Sequence, residues 1–183
     1  AADSLFLMMH HLGIDIREKD QLTKAALDQG IAKIREMRDN GQIRAFFGDT
    51  SSMVEALGNE EIDVALGWNE IAWNAGAKMM QPANGTMTWA CGLAIVKGAD
   101  LDKAYAMING ATSAETSAYL LSEWGYGHSN KAGFSTLTAD ELAERGVAAN
   151  PATHLSNGMF SVMPSDEVTD YMEAQWAEMV AGG

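Results

Sequence analysis

Long apolar runs, a basic excess and a second cysteine are all missing from this sequence, and each absence removes a class of protein. No stretch approaches the ~20 apolar residues that a helix needs to cross a bilayer, because charges and glycines break every candidate. Basic residues number 12 against 25 acidic ones, a formal charge of −13. Nucleic-acid binding needs a basic face to meet phosphates, so that partner is excluded. Cys91 is the sole cysteine, which rules out an internal disulfide and leaves the redox compartment open. Residues 1–12 have no basic start and carry Asp3 near the front, so no signal peptide is expected within this chain. Phosphate-cradling P-loops and the G-x-S-x-G elbow are lacking too, as are internal repeats and low-complexity tracts.

What is present suits a folded protein. Hydrophobic residues make up 47% of 183 positions, enough for one good-sized domain or two small lobes on a hinge. The acidic surplus aids solubility, and it also concentrates cations at any cleft.

Hydrophobic spacing marks a first helix through Leu5, Phe6, Met9 and Leu12, ended by Gly13. Asp20 is expected to cap a second helix whose apolar stripe is Leu22, Ala26, Leu27, Ile31 and Ile34, closed by Asn40-Gly41. Ile43–Phe47 and Ile62–Leu66 read as strands, with a helix from Ser52 to Gly58 between them and another over Trp68–Ala75. That alternation predicts βαβ units and a parallel sheet. Thr86–Val96 reads as a long strand, followed by helices over Leu101–Asn109, Ser113–Glu123 and Asp140–Glu144. Ser165–Val180 is an amphipathic helix that buries Val168, Tyr171, Met172, Trp176 and Met179.

Three aromatic residues are candidates for a binding site. Trp68 follows a strand ending in Gly67, and in open α/β sheets the ligand crevice lies beyond the carboxyl ends of strands. Trp89 lies in the long strand, and Tyr126 in a glycine-flanked loop after a helix. Indole faces attract cations and aliphatic chains. Each ring taken singly has an ordinary packing role as its alternative. The adjacent pair His10-His11 points ~100° apart on a helix, a poor metal pair, and His128 and His154 lack ligand spacing, so no metal is expected. Cys91 has no recognisable base partner, so no catalytic residue is assigned.

The segments DVALGWNEIAW, TMTWACGLAIVKGA and EWGYGHSN, in that order, resemble the bacterial spermidine/putrescine-binding proteins, solute receptors with the type II periplasmic-binding fold. The resemblance runs from about Ser4 to the last helix, and it matches the later part of such a protein, so the first lobe is expected to be largely missing. It implies that Trp68 and Trp89 are walls around an aliphatic chain, that Tyr126 is the loop tyrosine, and that Asp3 is an acidic amine ligand. Cys91 stands where the family carries an aspartate, and a thiol cannot pair with an ammonium as a carboxylate does. Glu70 is the candidate substitute; Ser161 does not match a polar family contact.

The expected fold is therefore α/β, the C-terminal portion of a type II periplasmic-binding protein, with a parallel or mixed sheet flanked by helices. The expected parts are a second-lobe segment over 1–85, a crossover strand with first-lobe helices over 86–150, and a return segment with the last helix over 151–183. The expected function is non-catalytic and uses no cofactor: periplasmic capture of a polyamine or related cationic solute, and delivery to an ABC-transporter permease. Alternatives are a receptor for another amine or an amino-acid-like solute, the ligand-sensing domain of a transcription regulator, and a small enzyme using Cys91. With half a cleft, the chain alone is expected to bind polyamines weakly or not at all, and to self-associate through exposed apolar area.

Overall fold

Helices form in this chain wherever a short segment can close its own hydrogen bonds and cap its own ends. The computed structural model describes residues 2–80 and 82–182, without the side chains of His154, Leu155 and Asn157, so the reading of His154 lies outside the described residues. In chain order the elements are α1 (Ala2–His11), α2 (Lys24–Asp39), α3 (Thr50–Gly58), α4 (Asn69–Asn74), β1 (Thr86–Met87), α5 (Leu101–Ala111), α6 (Ala114–Trp124), α7 (Ala139–Glu144), α8 (Pro151–Asn157), β2 (Gly158–Met159) and α9 (Asp166–Val180). Turns of 3₁₀ helix cover Lys19–Gln21 and Lys131–Thr136. Side-chain oxygens of Thr23, Asp100, Ser113 and Ser165 accept from the backbone N–H three residues on, opening α2, α5, α6 and α9. Thr138 and Glu141 form a reciprocal capping box at α7.

The α/β expectation is overturned. Helix takes up 55% of the chain and strand 2%, and the one sheet among the described residues is a parallel pair, Thr86 opposite Gly158 and Met87 opposite Met159. No ladder joins 43–47, 62–66 or 88–96 to a neighbour among the described residues, so the expected βαβ units and the flanked sheet of a type II binding protein do not form. The reason is physical. A helix satisfies its backbone from its own residues, whereas a strand exists only where another strand meets it. Two helix starts also move. Thr23, not Asp20, caps α2, with Asp20 drawn into the 3₁₀ turn, and α3 begins at Thr50, two residues before Ser52.

The chain divides into two compact units, residues 1–49, 82–87 and 158–183 forming one and residues 50–81 and 88–157 the other. In the first, α1, α2 and α9 bury Leu5, Met9, Leu27, Ile31, Ile34, Met172 and Met179 against each other. Burying a side chain of this size stabilises by roughly 1.5–3 kcal/mol. Gly30 lets α1 approach α2, because a Cβ there would lie 2.6 Å from Leu5 Cδ1. Tyr171 donates to Asp28 at 2.7 Å, Lys24 pairs with Glu167, and the Arg38 guanidinium donates to the Met179 carbonyl near the end of α9.

In the second unit, α6 packs on the 3₁₀ turn over Lys131–Thr136 around Leu121, Phe134, Leu142 and Val147. Ser117 is fully buried there and donates to the Asn130 carbonyl at 2.6 Å. His128 bridges within the same unit: its Nδ1 accepts from the Asn130 N–H, so Nε2 carries the proton and donates to the Ala111 carbonyl at 3.0 Å. The histidine is thereby a loop clip.

Candidate functional site

Trp68, Trp89 and Tyr126 meet. All three belong to the second unit, and their rings form a chain of edge contacts. The Trp68 and Trp89 centroids are 5.7 Å apart at 81°, and those of Trp89 and Tyr126 are 5.5 Å apart at 90°. These are the edge-to-face geometries that the ring quadrupole favours, worth about 0.5–1.5 kcal/mol each beyond area burial. Trp124 extends the group, 6.2 Å from Tyr126.

Local structure explains how each ring arrives. Trp68 is the extended N-cap residue of α4, so its side chain leaves the helix start and makes no cap bond. Its neighbour Asn69 does the anchoring: Nδ2 donates to the carbonyls of Gly125 at 2.7 Å and Arg145 at 2.6 Å. That one amide ties the start of α4 to the end of α6. Gly125 turns left-handed at φ 65° to stop α6, and Tyr126 then donates its N–H back to the Leu120 carbonyl at 3.1 Å. Trp89 comes from the unladdered stretch after β1 and is held here through its two ring contacts.

Glu70, in the first turn of α4, supplies the charge. Its carboxylate lies near enough to the Tyr126 hydroxyl to act on it, and Glu70 Oε2 is buried with no hydrogen-bond partner. Burial first, then the hydroxyl's interaction with Glu70 and the carboxylate's charge, push the Tyr126 phenol above its ordinary value. An unpartnered buried carboxylate oxygen is costly and favours the approach of a donor.

The two indoles do not stand as parallel walls. Holding a methylene chain between two rings needs about 7–8 Å between planes, twice a carbon–carbon contact. Trp68 and Trp89 touch edge to face instead, and each residue stays about half exposed, at 44% and 46%. A cation would therefore meet the exposed parts of the rings and not lie sandwiched between them. The face of Trp73 is not open in this way, since the Arg145 guanidinium already lies 4.4 Å from its centroid.

Cys91 is exposed. Asp3 is exposed in the first turn of α1 and belongs to the first unit. No group of three metal-ligating side chains exists among the described residues. Sequence reasoning missed Asn69 and Trp124. Trp124 could have been found from its place beside Gly125 in EWGY, but the partners of Asn69 lie 56 and 76 residues away and leave no local signal.

The chain matches no protein-family model, no curated protein and no solved structure. The functional reading therefore stands on this geometry and on the motif resemblance alone.

Proposed function

We propose that the chain reversibly captures a small organic cation of the polyamine kind, without catalysis, as the solute-binding component of a transporter that hands the solute to a membrane permease. The observation that carries this reading is the meeting of three rings from separate segments with one carboxylate, Glu70, beside Tyr126. Rings attract a cation through their quadrupole, by about 0.5–1 kcal/mol at exposed positions. The carboxylate supplies an acceptor for N–H groups. The net charge of −13 raises the local concentration of cations. Half-exposed rings and a single carboxylate amount to weak binding, with Kd on the order of millimolar.

The test is an NMR titration of the indole N–H signals with putrescine or spermidine, with 1-butanol as the uncharged control. The signals of Trp68 and Trp89 should shift saturably with amine and not with butanol, and Trp176 of the first unit should stay in place. Equal movement of all indoles, or none, would refute the proposal.

A further inference from the structure

Hydrogen bonds from three elements of the second unit converge on His128 and Asn130. The imidazole donates to the Ala111 carbonyl at the end of α5 at 3.0 Å, and the Asn130 side-chain amide donates to the neighbouring Thr112 carbonyl at 2.9 Å. The Asn130 carbonyl accepts from Ser117 of α6 at 2.6 Å. Its side-chain oxygen accepts from the Ala132 N–H at 3.1 Å, which opens the 3₁₀ turn over Lys131–Thr136. The Asn130 N–H closes the joint by donating to His128 Nδ1 at 3.0 Å.

That last bond is the one a proton breaks. A backbone N–H can only donate, so Nδ1 must present its lone pair, and a proton there sets two donors against each other. Amides, carbonyls and hydroxyls make up the rest of the joint, and none of them changes charge between about pH 5 and 8 as an imidazole does. The charged groups on the elements packed there are Asp102 and Lys103 of α5, Glu115 and Glu123 of α6, and Lys131 of the 3₁₀ turn. All five are exposed, and none pairs with His128 among the described residues. The other titratable side chains on these elements and the loop are the phenols Tyr105, Tyr119 and Tyr126. Opening the turn at 128–130 withdraws Asn130, and with it the acceptor of Ser117, which is fully buried. A buried hydroxyl left without a partner is costly, so the loss passes from the loop to the packing of α6 on the 3₁₀ turn.

We infer that His128 is an acid-sensitive latch of the second unit: with the ring neutral the joint is closed, and with the ring protonated the turn at 128–130 opens and the 3₁₀ turn loosens from α6. The latch holds above the imidazole range and is lost as pH falls through it. Amide hydrogen exchange on the whole chain, normalised at each pH to the unstructured rate, tests this. Between about pH 7.5 and about pH 5, protection of the Asn130 and Ala132 amides should fall by about tenfold or more, while that of Ile31 in α2 holds. His128→Asn offers an acceptor to the N–H two residues on, as in an Asx turn, and has no proton to gain, so the fall should vanish. His128→Gln, which keeps a donor for Ala111 and also lacks a titrating ring, should abolish the pH dependence as well. Protection that stays level in wild type, that falls equally at Ile31, or that falls as far in both variants as in wild type would each overturn the latch.

Discussion

Replacing Tyr126 by phenylalanine removes one oxygen and leaves the ring, so it isolates the hydroxyl's interaction with Glu70 from the ring contact at 5.5 Å with Trp89. Hydrogen bonds to charged groups contribute about 1.5–3 kcal/mol. Tyr126 is only partly buried, and solvent screening brings the expected loss down to about 1 kcal/mol. The assay is urea unfolding of wild type, Tyr126→Phe, Glu70→Gln and the double variant, read as a cycle, with coupling of about 0.5–1 kcal/mol expected. The pH dependence has a definite sign. The folded phenol titrates above its ordinary 10.0, so its contribution is fully present below pH 10 and is lost as pH rises beyond it. Tyr126→Phe should therefore flatten part of the alkaline loss of stability. Tyr171, raised by its bond to Asp28, should keep the rest. Zero coupling, with an alkaline limb identical to wild type, would refute the reasoning.

Other outcomes follow from the same structure. Asp15 accepts from the side chain and backbone N–H of Arg17, and these bonds with the guanidinium's charge lower its carboxyl from 3.8 to about 2. Its contribution is present above pH 3.8 and is lost as pH falls toward 2, so a carboxyl NMR titration should find the midpoint near 2, returning toward 3.8 in Arg17→Gln. Gly133→Ala should destabilise the second unit by about 2 kcal/mol or more, because the added Cβ would sit 2.6 Å from the Ala118 backbone nitrogen and press on buried Ser117. Thermal unfolding at unchanged midpoint would contradict that close packing.

Trp68, Trp89 and Tyr126 sit at the ends of apolar or glycine-flanked segments, and the structure brings them together without a parallel sheet beneath Trp68. Their agents of assembly are Asn69 and the left-handed turn at Gly125. Neither agent depends on strand order, so the rings converge although the expected topology is absent.

Most helices and the buried stripe of α9 were determined by the sequence by itself, since Ser113, Thr138 and Ser165 act on donors three residues away and Met172 and Met179 recur at helical spacing, whereas the starts of α2 and α3 moved from where the sequence placed them. Pairing is another matter. Whether 62–66 or 88–96 becomes a strand depends on a partner's backbone, and which carbonyls Asn69 grips depends on loops far along the chain. Short-range hydrogen bonds and periodic burial are written locally; the meeting of distant segments is decided only when the whole chain packs.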